Sequence, residues 1–369
     1  MKLKLPLPLW TIAIPVLAWV CYLASPAGAG TVFTILLSVL LIGAVMSAVH
    51  HAEVVAHRVG EPFGTLLLAV SITVIEVSLI VSLMLAGGAG TEFLARDTVF
   101  AAVMIILTGI IGICILGGSL RFREQTFTAS GVSASLVTLT AISVLTLILP
   151  NFTTSALGGA FSTSQMIFVA IISLILYAAF VIAQTGRHRD FFLPKIPKDK
   201  QQELAITNPE EIHAAPPANA VAIASLLLLL ACLVAVVLIA KALAPTIETG
   251  VVSLGAPKSV VGIIIALIIL LPEGLAAYRA ARNNRLQTSL NLALGSAIAS
   301  IGLTIPAVAA VTAITGMPIS LGIDAKSIVL LTLSFITIIL AFSTGRTNFL
   351  QGVVLLVLFA IYIFTTIIP

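Results

Sequence analysis

Charge is what this sequence has least of. Only 9% of its 369 residues are Asp, Glu, Lys or Arg, where an ordinary soluble domain carries roughly 25%. Hydrophobic residues make up 60% of the chain, which excludes a water-exposed fold. Cysteine is scarce as well. Cys21, Cys114 and Cys232 stand apart, with no CxxC spacing and no clustered histidine, so neither a disulfide framework nor a zinc site is indicated. The sequence has no HExxH, GxSxG or P-loop pattern. Hydrolysis and ATP coupling within this chain therefore have no support, and no catalytic residue or bound cofactor is expected. Also missing are the ~10-residue alternating segments of a transmembrane barrel.

What remains is long apolar runs separated by short polar ones. Many of the runs reach the ~20 residues that a helix needs to cross about 30 Å of hydrocarbon. The pattern predicts an all-α polytopic membrane protein with about eleven transmembrane helices, near 6–25, 30–49, 64–86, 98–117, 132–150, 163–184, 217–244, 258–278, 289–312, 326–343 and 349–367. The first run follows Lys2 and Lys4 but is longer than the apolar stretch of a usual signal peptide and contains Trp10 and Trp19, so a retained helix is expected. Placing alternate loops on the two sides puts fourteen of the eighteen Lys and Arg residues on the N-terminal side, leaving only Arg96, Lys241, Lys258 and Lys326 for the other. Positive loops stay in the cytoplasm. The expectation is a bacterial inner-membrane protein with a cytoplasmic N-terminus and a periplasmic C-terminus. The net charge of +4 thus follows from topology, and no nucleic-acid partner is needed to explain it.

The longest polar stretch, Thr185 to Pro217, is rich in proline and in both charges, which marks a cytoplasmic linker with room for one short helix. Six runs precede it and five follow. Setting the first aside gives a leading helix at 1–29, a five-helix repeat at 30–184, the linker at 185–216 and a second five-helix repeat at 217–369. The halves correspond. Glu76 lies in the second run of one and Glu273 in the second run of the other; "LTGIIG" (107–112) parallels "LGSAIASIG" (294–302); and the last run of each carries a late tyrosine, Tyr177 and Tyr362. With an odd number of helices per half, such repeats face opposite ways across the membrane.

Glu76 and Glu273 are the two acidic residues deep inside apolar runs. A charge in hydrocarbon costs several kcal/mol, so an intramembrane carboxylate points to function. A structural reading also exists, in which each glutamate stays protonated and bonds a neighbouring helix. Pro272 beside Glu273 removes a backbone donor, and a helix break there would free carbonyls for cation coordination. Supporting oxygen ligands are sought in Ser71, Thr73 and Ser78 around Glu76, in Thr108 of "LTGIIG" and in Ser296 of "LGSAIASIG". Paired carboxylates suit a hard cation or protons. Both cannot bind at once, and competition combined with alternating access gives exchange.

At these residues the chain resembles the calcium/cation antiporter superfamily, in its cation/proton exchanger branch, and is most similar to the bacterial Cha-type calcium (sodium, potassium)/proton antiporters. "HAEVVAHRVGEPFGTLLLAVSITVIEVSLI" and "LPEGLAAYRAARNNRLQTSLNLALGSAIASIGLTIP" carry the likeness, with "LGGSLRFREQTF" and "FSTGRTNFLQG" outside the repeats. The resemblance implies two inverted five-helix repeats after a leading helix, with Glu76 and Glu273 as carriers of cation and proton. One departure matters: where that family has Gly-Asn ahead of each glutamate, this chain has Ile72-Thr73 and Ile269-Leu270. Losing an asparagine oxygen on both sides shifts the expectation from Ca2+ toward Na+ or K+.

His50, His51 and His57 cluster with Glu53, Arg58 and Glu61 at the cytoplasmic end of the second run, where a pH sensor and a plain interfacial face are both readings. Arg279, Arg282 and Arg285 read as a topology anchor. The expected partners are the lipid bilayer, inorganic cations and protons, with a homo-oligomer left open. A proton-coupled cation antiporter is the function expected, against a passive cation channel or a membrane scaffold with structural glutamates.

Overall fold

The computed structural model describes residues 7–24, 30–60, 63–86, 91–186, 188–193, 217–253, 255–257 and 259–368. The described residues form a bundle of eleven helices: α1 Leu9–Leu23, α2 Thr31–Val59, α3 Phe63–Ala86, α4 Thr91–Phe122, α5 Ala129–Phe152, α6 Thr163–Thr185, α7 Asn219–Ser253, α8 Ser259–Arg282, α9 Leu286–Thr315, α10 Ala325–Phe342 and α11 Phe349–Ile367. Nine are long and apolar enough to cross a membrane; α1 and the apolar stretch Val70–Met84 of α3 are shorter. They fall on the eleven predicted runs, with the largest displacements at two ends. α2 continues ten residues past the predicted end because "HAEVVAHR" contains no breaker, and it stops at Gly60, whose φ of 79° reverses the chain. α7 runs on through Pro245 to Ser253.

Two helices contain a wide π-turn, at Ile105–Ile110 in α4 and Val144–Ile148 in α5. Such turns insert an extra residue and redirect the helix, and they concentrate at functional sites. The loops after α4 and α10 meet as a two-residue antiparallel pair, β1 (Gln125–Thr126) with β2 (Arg346–Thr347).

Packing is governed by small residues where helices approach closest, as it must be when the surrounding lipid is as apolar as the interface. Gly109 and Gly112 of α4 receive Phe359 and Leu356 of α11, and a Cβ on Gly352 of α11 would stand 2.7 Å from the Leu116 backbone. Gly302 of α9 meets Tyr177 of α6 so closely that a Cβ there would stand only 3.0 Å from the tyrosine Cβ. Extensive helix pairings include α2 with α7, α6 with α9, α11 with α4 and α8 with α4, and α3 also packs on α9.

α1 is fastened to α2 by one carbonyl. Pro15 has no N–H to close the helical bond to Thr11, so the Thr11 carbonyl is left over. Ser47 Oγ donates to it at 2.7 Å and His51 Nε2 at 3.0 Å. His51 is 0% exposed, His50 packs against Trp10 at 5.7 Å, and His57 is exposed. This favours a structural role for His51 over a sensor. Glu61 and most of the linker, 194–216, lie outside the described residues. Of the linker's start, Arg189–Phe191 forms a single 3-10 turn.

His51→Leu should therefore lower the thermal midpoint of the detergent-solubilised protein, by an amount corresponding to about 1–3 kcal/mol for the lost bond and the stranded carbonyl. The pH profile of the expected cation/proton exchange should not move. A shifted profile with unchanged stability would restore the sensor reading.

Candidate functional site

α3 and α8 each deliver one glutamate to the interior, and the residues one turn earlier face the same way because helical positions three and four apart share a face. Glu76 and Glu273 line one cavity of about 160 Å3, together with Ile72 and Thr73 of α3, Ile269 and Leu270 of α8, a face of α6 and the first half of α9. Glu76 is 3% exposed. The Ser300 hydroxyl of α9 lies 2.7 and 2.8 Å from its two carboxylate oxygens. Both Glu273 oxygens are buried and have no hydrogen-bond partner among the described residues.

That asymmetry defines what the site can do. A charged carboxylate with no donor in a low-dielectric interior is costly by several kcal/mol, and a proton or a cation removes the cost. The other oxygens and amides on the wall belong to Thr73, Tyr177, Gln184, Asn291, Ser296 and Ser300. Among the described residues no cluster of three His, Cys, Asp or Glu gathers. A cation here would rest on two carboxylates and weak neutral ligands.

The cavity reaches the end of the bundle where the linker begins. Gln184 sits one residue before the end of α6, and Asn291 of α9 donates through Nδ2 to the Phe192 carbonyl at 2.6 Å. Phe192 is buried edge-on against Phe180, another wall residue, at 5.9 Å.

Of the hydroxyls singled out in the sequence, Thr73 and Ser296 line the cavity. Ser71 and Thr108 do not; their hydroxyls donate back to Leu67 and Met104 in their own helices, at 2.8 and 2.6 Å. Ser300 is the ligand the sequence reading missed, although it stands one turn after Ser296. A correction concerns Pro272: α8 is continuous from Ser259 to Arg282. One missing backbone bond does not end a helix packed tightly on its neighbours, and Gly274 lets Ile110, at the wide turn of α4, approach to 3.2 Å of where a Cβ would be. Arg279, Arg282 and Arg285 are exposed at and just beyond the end of α8.

A bundle of membrane-spanning helices whose deep cavity takes one carboxylate from before the linker and one from after it has the build of an ion transporter. The chain belongs to the sodium/calcium exchanger protein family, whose model matches residues 29–186 and 224–368. It is 43% identical to the ionic transporter y4hA of Sinorhizobium fredii over 98% of this chain and 97% of that one. It is 36% identical to the sodium-potassium/proton antiporter ChaA of Escherichia coli, over 88% and 86%. Among solved structures its fold is similar to native YfkE, with a TM-score of 0.73 at 17% identity over 98% and 99% of the two chains. The H+/Ca2+ exchanger CAX superposes with a TM-score of 0.70 at 16% identity, over 96% and 87%.

Ser300→Ala should raise the half-saturating cation concentration about tenfold, since a bond to a charged group is worth roughly 1.5–3 kcal/mol. Ser71→Ala, whose hydroxyl is spent inside α3, should leave it unchanged. Equal effects from both would show that the hydroxyls act through helix packing.

Proposed function

We propose that this protein is a cation/proton antiporter of a bacterial membrane, in which Glu76 and Glu273 carry a cation in one half-cycle and protons in the other. The observation that carries the reading is the meeting of both glutamates in one buried cavity, one of them without a hydrogen-bond partner among the described residues. Protonation removes the ligand that a cation needs, so the two passengers exclude each other. Mutual exclusion at one site, offered alternately to each face, is exchange. A channel requires no such competition. A scaffold gains nothing from an unpartnered buried carboxylate.

The inverted repeat supports alternating access. Exchanging the repeats, so that a helix of the first gains five and a helix of the second loses five, maps α6 on α9 to α11 on α4, and α3 on α9 to α8 on α4, and all four contacts exist. Two structurally equivalent halves give two arrangements of similar energy, one open to each face. The units of this reading are the leading helix, the repeats 30–184 and 217–369, and the linker between, with the N-terminus cytoplasmic.

Na+ and K+ are favoured as cargo over Ca2+. Ile72, Thr73, Ile269 and Leu270 all line the cavity, so the positions ahead of each glutamate supply one hydroxyl and three apolar side chains. A divalent ion takes six to eight oxygens, and this wall is poor in them. The name of the ChaA relative, a sodium-potassium/proton antiporter, points the same way.

In everted vesicles, Glu76→Gln and Glu273→Gln should each abolish cation-driven collapse of a pH gradient, a loss of at least about a hundredfold. Full flux in either variant would sink the proposal. Among wild-type responses, NaCl and KCl should exceed CaCl2, and the double substitution Thr73→Asn with Leu270→Asn should raise the calcium response. A calcium-only wild type would show that the missing amides do not set the preference.

A further inference from the structure

α8 touches a second cavity at its other end. Ser259, in the first turn, lines a space of about 130 Å3 among α4, α8, α10 and α11. Ten residues on, about 15 Å along the helix, Ile269 lines the first cavity. The second wall is polar where a span is normally apolar, with Arg96, Asp97, Asp324, Lys326 and Tyr362 among its residues.

Carboxylates at helix starts are common, and Asp324 is one: its side chain caps α10, accepting the Ser327 N–H at 3.3 Å. Tyr362 is not so explained. It is 2% exposed and lines the cavity, and among the described residues its carbonyl, not its hydroxyl, takes the bonds, from Thr365 and Thr366. A hydroxyl that faces a cavity and is held by no neighbouring side chain is available to a ligand there.

Arg96 shows what kind of ligand. Its Nε pairs with Asp97 Oδ1 at 2.8 Å, its Nη1 donates to the Gly322 carbonyl at 3.1 Å, and its guanidinium lies 4.4 Å over the Phe93 ring. A carboxylate and a backbone carbonyl are the ligands a hard metal cation takes, and here a side-chain cation holds them. Lys326, by contrast, donates to the Thr365 carbonyl at 2.6 Å, at the C-terminal end of α11.

The two cavities also correspond across the repeats. Tyr177 of α6 lines the first and Tyr362 of α11 the second. Exchanging the repeats turns the first cavity's α6 into α11 and its α9 into α4, both present in the second, and α8 belongs to each.

We infer that the second cavity is the closed mouth through which the exchange site opens to the face opposite the linker, that Asp97 and Asp324 receive an inorganic cation there, and that Arg96 occupies the cation's place while the mouth is shut. The inference rests on the exchanger reading of Glu76 and Glu273.

The test is sidedness. NaCl or KCl is added to right-side-out and to everted vesicles holding the full-length protein, and the half-saturating concentration is read from proton flux at each face. Asp97→Asn should raise it about tenfold at the face opposite the linker and by less than about twofold at the linker face. Arg96→Gln should lower it at the first face only. Should Asp97→Asn not reach the membrane, Asp324→Asn carries the same expectation. Equal shifts at both faces, or none at either, would overturn the inference. Wild-type exchange that Glu76→Gln abolishes, without sidedness in the Asp97 variant, leaves the exchanger reading standing and removes only this one. Absence of wild-type exchange removes both.

Discussion

Two carboxyl groups withheld from water constrain everything else in this molecule. In the bundle interior an ionised glutamate is tolerated only with a donor or a counter-charge. Glu76 has a donor in Ser300, while Glu273 has no hydrogen-bond partner among the described residues. An environment that met both needs with protein groups would fix both charges permanently and leave nothing to carry. One incomplete site, closed by an exchangeable ion, is the arrangement that makes transport chemically useful.

Bringing the two together demands close helix contact around a space that must not collapse. The small residues arrange this in layers. Gly109, Gly112 and Gly352 draw α11 onto α4, Gly302 draws α6 onto α9, and Gly274 seats α8 against the wide turn of α4. None of these glycines needs a left-handed backbone; each is there because a Cβ would meet its neighbour. The glutamates then stand in the gap between tightly joined pairs rather than within one. A gap between rigid pairs can change shape when the pairs move, whereas a packed interface resists continuous deformation.

The carboxylates were legible in the sequence because a lone charge in an apolar run stands out against everything around it. The number of helices was legible for the same reason, since each run ends where polarity returns. Hydroxyls were less so: Ser71, Thr108 and Ser300 look alike in sequence, and their roles depend on whether the oxygen bonds its own helix or reaches across, which only the packing decides. Ser71 and Thr108 take the local bond; Ser300 takes Glu76. Pro272 misled because helix propensity in water is a poor guide in a tightly packed membrane interior, where neighbours sustain a helix that lacks one bond. Neither reading of His51, a sensor or an interfacial face, named its role, because its partner is a backbone carbonyl exposed by Pro15 on another helix, and no side-chain pattern announces that.

α8 is where these threads meet. It presents Ser259 to one cavity and Ile269, Leu270 and Glu273 to the other, and Pro272 lies beside the glutamate. The proline leaves the Ile268 carbonyl without its helical donor, so α8 lacks one stiffening bond within one turn of Glu273, the residue proposed to change charge state. Neutralising Glu273 by a proton or by a cation alters the force on that segment, and the wide turn of α4 packed at Gly274 supplies a neighbour whose own hydrogen bonding is irregular. Coupling between ion occupancy and the opening of a mouth ten or more residues away needs no long relay on this view. A single helix, softened at its charged residue, links both ends.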